Sequence, residues 1–358
     1  MIKENDSVLV FEYFTASGEK DKSIISEAEK LLFSLIKDLS EIKVDLVINK
    51  SYENIVKEYN NINPILINEN IVDWLEVNAS KFKSAIFIAA ENNNNLYIIT
   101  KILEENNVKT YTSNSKACLL TSDKYGTYQA LPDNISQPNS FKVEIDSNGN
   151  WIGEIVNIYE KLQIKNSSKS LKLIIKPLLG VDCEGIVLLE NIDDLSYNLE
   201  NIFPQNSSVI VQEYIEGQDV SVSLISDGKN AFPISLNQQF IELKCDGAKY
   251  VGGKLPYDSK YSDVAFEMAK NAVESIDGLK GFVGVDLKIN DDGSVYLLEI
   301  NSRFTTPYVG LSKIAKFNIA KSIIDLIDGK IDIGDLDCSL DGSVEFIKSG
   351  DSLEIRRI

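Results

Sequence analysis

The rhythm of apolar runs changes once along this chain, and that change limits its fold more than any other feature. Up to residue 112, strand-like runs at 8–14, 44–48, 64–67, 84–89 and 109–112 alternate with helix-like stretches at 24–39, 52–59 and 72–81. Strands spaced by helices of this length read as a parallel, Rossmann-like α/β sheet, closed here at residue 115. A helix over 122–130 opens on Ser122 or Asp123 as N-cap. Residues 133–150, rich in Asn, Ser, Pro and Gly, read as loop, 152–161 as helix, and 165–169 as a linker too short to separate independent domains. From 171 onward hairpins dominate, with strands at 171–176, 185–189, 209–214, 220–226, 231–239, 282–289 and 295–300, and helices at 193–198, 265–276 and 319–328. The Asn-rich run 92–95 reads as loop, and the tail 342–358 alternates as a last hairpin.

A chain of 358 residues with 44% hydrophobic content can bury more than one core. Its formal net charge of -18 argues against a nucleic-acid partner, which needs a basic stripe. The chain has no histidine, which excludes Ser-His-Asp triads, Cys-His dyads and His-ligated metals. Chemistry must rest on carboxylates, lysines, an arginine and a hard cation held by oxygen, a set that favours Mg-assisted phosphoryl chemistry. Cys118, Cys183, Cys245 and Cys338 are far apart, which disfavours a disulfide framework or zinc site and suits a reducing cytoplasm. Lys3, Glu4 and Asp6 precede the first strand without the form of a signal peptide. No apolar run nears the roughly 18 residues that span a bilayer. The expectation is a soluble, cytoplasmic protein without a membrane partner.

The sharpest local signal is the hairpin 282–303. Gly284, Asp286 and Lys288 share one strand face; Glu299 and Asn301 share a face of the return strand. With a loop at 291–294, Asn290 pairs with Val295, which sets Asp286 opposite Glu299 and Gly284 opposite Asn301. Two bare carboxylates facing across a ladder destabilise it, and a divalent cation removes the cost. The bland alternative is a solvated face with scattered charge. Asn301 and Arg303, just past the strand end, favour a metal site of Asp286, Glu299 and Asn301.

This D…E-x-N pattern, with Arg303 two residues on, resembles the metal hairpin of the ATP-grasp superfamily. The similarity runs over roughly 115–330 in the family's order. Lys124 is similar to the lysine that opens the central lobe and reaches the nucleotide phosphates. Lys176, before Pro177, is similar to the strand-end lysine on the α/β-phosphates, and 178–185 sits where the family keeps a phosphate-covering loop. Asp182 and Glu184 in that loop, and Ser302 where relatives often have Pro, depart from the pattern. Gln212, Glu213 and Ile215 fall in the inter-lobe hinge, where backbone groups meet the adenine edge, and Asp219 falls where a carboxylate meets the ribose.

The resemblance implies an α/β pre-ATP-grasp unit (1–115), a central lobe (116–213), a C-terminal lobe with the metal site (214–330) and a β extension (331–358). It implies ATP and Mg²⁺ or Mn²⁺ as cofactors, small-molecule carboxylate and amine substrates, and Arg303 and Lys176 as catalytic residues. It leaves room for a homodimer, with no interface legible in the string. The segments 11–18, 233–239, 250–253 and 303–311 are similar to the tyramine–L-glutamate ligase group of methanofuran-type cofactor biosynthesis. Glutamate would then be the acid, with Arg303 on its carboxylate and Glu12 or Glu91 on its ammonium, and tyramine the amine. Gly252-Gly253 also reads as a tight turn, and Thr305-Thr306 before Pro307 as a cap. A ligase for another amino acid or amine, or a non-catalytic ATP-binding module, are the alternatives.

Overall fold

A computed structural model describes residues 7–56, 59–146, 149–166, 171–180, 185–192, 195, 202–244 and 247–358. Val8–Glu12 (β1), Val44–Asn49 (β2), Ile62–Ile67 (β3), Ser84–Ile88 (β4) and Lys109–Thr110 (β5) pair in parallel, in the order β3-β2-β1-β4-β5. Every residue of β1 is buried, because helices cover both faces of the sheet. A single turn, Tyr13–Ser17 (α1), follows β1. On one face Val8 and Val10 meet Leu32, Leu35 and Ile36 of Lys22–Asp38 (α2), whose apolar residues recur at helical spacing behind the N-cap Asp21. On the other, Leu9 and Phe11 meet Leu75 of Ile71–Asn78 (α3) and Ile99 and Leu103 of Asn95–Glu105 (α4). The helix expected at 52–59 is a 3₁₀ segment, Lys50–Val56, started by the Asn49 side chain, whose Oδ1 accepts from the Ser51 N–H at 3.1 Å.

Two short helices, Ser115–Ser122 (α5) and Lys124–Ala130 (α6), lead out of this sheet. Asp123 separates them and caps α6, accepting from the Tyr125 and Gly126 N–H groups at 2.9 Å. The second sheet is antiparallel, order β6-β9-β7-β8, from Ser140–Ile145 (β6), Leu173–Pro177 (β7), Val187–Leu189 (β8) and Ser207–Glu213 (β9). β6 corrects the loop expected at 133–150: Val143 and Ile145 point inward and Lys142 and Glu144 outward, an alternation hidden by its turn-rich flanks. Asn150–Asn166 (α7) packs Trp151, Ile155 and Leu162 on this sheet and runs into the stretch expected as linker. Residues 167–169 of that linker, and all but residue 195 of the helix expected at 193–198, lie outside the described residues.

The largest sheet has seven strands: Gln218–Asp227 (β10), Ala231–Lys244 (β11), Gly247–Leu255 (β12), Lys280–Ile289 (β13), Val295–Asn301 (β14), Val344–Ser349 (β15) and Ser352–Arg357 (β16). They run antiparallel in the order β14-β13-β10-β11-β12-β15-β16. Gly252 and Gly253 lie inside β12 and make no tight turn. A Cβ on them would stand 2.2 Å from the Phe346 carbonyl oxygen and 2.4 Å from that of Gln238, so β15 and β11 close on β12 only where it carries glycine. Ser262–Glu274 (α8) lays Ala265, Ala269 and Ala272 on one face. Pro307–Ile314 (α9), with Pro307 in its first turn, and Ile319–Ile327 (α10) join the other face to α2 in one core. Among the described residues no helix is long and apolar enough to cross a membrane.

One polar contact inside that core has a measurable consequence. The buried Asp38 carboxylate accepts from the Tyr308 hydroxyl at 2.9 Å and from the Ala320 N–H at 3.4 Å, tying α2 to α9 and α10. Burial pushes its pKa from 3.8 up to about 6. A raised acid stabilises the fold fully below its unfolded pKa, and that contribution is lost as pH rises through 6. Wild-type protein should lose up to about 3 kcal/mol from this group between pH 4 and 6.5. Asp38→Asn should flatten that part of a melting-temperature series against pH; an unchanged slope would mean the group titrates normally.

Candidate active site

The β13–β14 hairpin carries Asp286, Glu299 and Asn301, the three expected metal ligands. Near the turn Ile289 pairs with Val295, so the expected Asn290–Val295 pair does not form. The offset lasts through Leu287–Leu297; Leu298 is then skipped as a bulge, and Asp286 faces Glu299 and Gly284 faces Asn301. Without the bulge Leu298 would lie opposite Asp286. An extra residue in one strand thus aims Glu299 at its acidic partner. The Asp286 carboxylate accepts from Gln239 Nε2 and Asn301 Nδ2, each at 2.9 Å. Burial first, and the Glu299 charge second, push Asp286 up to about 6. Two adjacent acids with an amide oxygen beside them are hard donors that fit Mg²⁺. Among the described residues no group of three or more acid or cysteine side chains could hold a metal alone.

Lys124 joins the central lobe to this hairpin. Its ammonium donates to Glu299 Oε1 at 3.0 Å and to the Gly180 carbonyl at 2.9 Å, at the start of the expected phosphate loop. Lys124, Gln212 and Glu299 line one cleft with Thr127, Tyr128 and Leu298. Lys176 is buried near the end of β7, opposite Ile210. Gly185 closes the loop against Pro177: its φ is +69°, and a Cβ there would stand 2.8 Å from the ring. Residues 181–184, with Asp182 and Glu184, lie outside the described residues.

At the hinge, buried Gln212 donates to Ser140 Oγ at 2.8 Å, and the Glu213 carboxylate accepts from Asn139 Nδ2 at 2.6 Å. The N–H groups of Glu213 and Tyr214 are committed to the Asn139 and Lys172 carbonyls, each at 3.0 Å, just ahead of Ile215. Asp219 accepts from Lys288 Nζ at 2.7 Å, and that ammonium also lies 5.5 Å from the Tyr214 ring centroid. Spacing assigns Lys288 no role, and Gln239 enters the sequence reading only as the end of the segment 233–239. For Lys288 the only signal was its shared strand face with Asp286.

Arg303 meets an expected partner of a different kind. The resemblance makes it a carboxylate or phosphoryl holder and Glu91 an ammonium holder; here Arg303 Nε donates to Glu91 Oε2 at 2.6 Å. Arg303 Nη1 also donates to the Phe304 carbonyl at 3.2 Å. Ser302, where Pro is frequent, accepts from Thr121 Oγ1 at 3.0 Å and docks α5. The other acid candidate, Glu12, caps α1 by accepting from the Phe14 and Thr15 N–H groups at 3.1 and 2.8 Å. Burial, with a lesser push from Glu27, raises it to about 7. Glu27 in turn is hydrogen-bonded by Thr306 and pairs with Lys348 at 3.2 Å, whose ammonium lies 5.4 Å from the Tyr250 ring centroid. Segments 11–18, 250–253 and 303–311 therefore converge between the first and third sheets.

Residues 121–307 match the ATP-grasp domain family, the stretch that holds the hairpin, Lys124, Lys176 and the hinge. The tyramine–L-glutamate ligase of Methanocaldococcus fervens is 32% identical over 309 residues, covering 85% of this chain and 89% of the relative. The chain belongs to the ATP-grasp family. A second ATP-grasp relative, the tyramine–L-glutamate ligase of Methanocaldococcus jannaschii, is 32% identical over 312 residues, 85% of this chain and 84% of its own length. A solved ATP-grasp superfamily protein from Archaeoglobus fulgidus superposes with a TM-score of 0.72 over 99% of this chain and all of that one. At 23% identity that likeness speaks for the ATP-grasp fold alone.

Proposed function

We propose that this ATP-grasp protein is a ligase that phosphorylates a carboxylate of L-glutamate with ATP and joins the acyl group to tyramine, giving γ-glutamyltyramine, ADP and phosphate. The observation that carries the reading is the meeting of Lys124 with Glu299 beside Asp286, which sets a phosphate-binding cation against a cation-binding hairpin. The substrate names come from the two relatives similar over most of the chain. We take 1–115, 116–213, 214–330 and 331–358 as its working domain division.

Lys124 and Lys176 would hold the ATP phosphates, backbone groups of Glu213 and Ile215 beside Gln212 the adenine edge, and Asp219 the ribose. Asp286, Glu299 and Asn301 would hold Mg²⁺ or Mn²⁺, which would supply positive charge against the repulsion that opposes carboxylate attack. Arg303 orients the acid or the transferred phosphoryl group through its planar fork. Glu91 keeps that fork in place by accepting from Nε. With no histidine in the chain, the proton of the incoming amine leaves to a carboxylate, a phosphate oxygen or water.

Hydroxylamine supplied in place of the amine should trap a glutamyl hydroxamate, with ADP and phosphate released. AMP and pyrophosphate would instead indicate adenylate chemistry and end the proposal. Lys176→Ala and Lys124→Ala should each raise the ATP KM or lower kcat at least about tenfold, since a charge-assisted phosphate contact is worth roughly 1.5–3 kcal/mol. Exposed Lys260, whose ammonium lies over the Tyr261 ring, is the control. Equal effects at all three positions would show that general charge is being read.

A further inference from the structure

Glu91 uses only half of its carboxylate. Oε2 accepts from Arg303, while Oε1 is buried and among the described residues has no hydrogen-bond partner, in a side chain only 8% exposed. The next residue, Asn92, likewise buries its Oδ1 without a partner. Buried acceptors without donors are costly and rare, so Glu91 Oε1, on a carboxylate already fixed by Arg303, calls for a donor from outside the chain. The missing group must donate: a carboxylate or phosphate would be repelled, while a primary ammonium brings three donors and a charge that complements the acid. Arg303 feels Glu91 most among its neighbouring acids, then Glu27 and Glu299, so the guanidinium itself sits among carboxylates.

We propose that Glu91 selects the acid substrate by its α-ammonium, with Oε1 on that ammonium and Oε2 holding Arg303 for the carboxylate being activated. This rests on the reading that the acid is glutamate. The amine substrate does not fit the position, because its nitrogen has to be neutral and free to attack. The α-ammonium of glutamate takes no part in the reaction and can stay paired throughout.

The test uses the full chain and ADP release with ATP, Mg²⁺ and tyramine, comparing glutamate with glutarate, which has both carboxylates and no ammonium. Wild type should favour glutamate in kcat/KM by about a hundredfold or more. Glu91→Gln should lower that ratio at least tenfold, chiefly through the KM for glutamate. Glu91→Asp, which keeps the charge on a shorter stem, should recover part of the ratio and carries the test if Glu91→Gln does not fold. A variant that slows both acids equally would make Glu91 a support for Arg303 only and overturn the proposal. Wild type using both acids equally well overturns it too. Release with neither acid overturns the glutamate reading and this role with it.

Discussion

Asp286→Asn should lose at least about a hundredfold of ligase activity while melting no lower than wild type in EDTA. Its carboxylate faces Glu299 across the ladder, and burial together with that charge raises it to about 6, so the ionised form that prevails near neutral pH costs the fold stability. Asparagine keeps an acceptor for Gln239 or Asn301 and asks only that the other amide turn over. Activity falls because the hairpin keeps one anionic ligand out of two. Glu299→Gln should cost as much activity but gain less stability. It also breaks the contact with Lys124, a partly exposed pair worth roughly 0–1 kcal/mol. Melting curves in EDTA beside ADP-release rates decide the matter. Wild-type turnover in Asp286→Asn would remove this carboxylate from the metal site.

Arg303→Ala should fail in both respects, with activity down at least about a thousandfold and unfolding free energy down by roughly 3–5 kcal/mol, the cost of leaving a buried carboxylate unpaired. The abandoned group is Glu91, only 8% exposed. Arg303→Lys keeps the charge but not the fork that serves Glu91 on one side and a ligand on the other, so it should restore more stability than turnover. Urea unfolding and ADP release read the two effects separately. A variant that unfolds early yet turns over normally would confine Arg303 to its bridge with Glu91.

The parts of this molecule that were legible in sequence are those governed by local period. The parallel sheet followed from alternation, and the face shared by Glu299 and Asn301 followed from strand parity. The facing of Asp286 and Glu299 came out as expected through two departures that cancel, a turn one residue longer and a bulge at Leu298. Turn-rich composition concealed real elements. The helix Asn95–Glu105 follows Asn93 and Asn94, both at positive φ, so its start looks like plain loop. β12 carries a glycine pair needed for strand approach and does not look like a strand. Contacts between Arg303 and Glu91, 212 positions apart, have no counterpart in spacing. Neither does Lys124 with Glu299, 175 apart, because both depend on how the sheets are stacked.

The central claim, that glutamate and tyramine are the substrates of this ATP-grasp site, is tested most directly by ADP release at fixed glutamate with the amine varied among tyramine, phenethylamine, dopamine, lysine and spermidine. A phenol-bearing amine calls for an apolar slot with a polar partner at its far end, so removing or adding a hydroxyl should be felt. The account predicts the highest kcat/KM with tyramine, one ADP per γ-glutamyltyramine formed, and no release when glutamate is omitted. Spermidine or lysine outperforming tyramine by tenfold or more would contradict it.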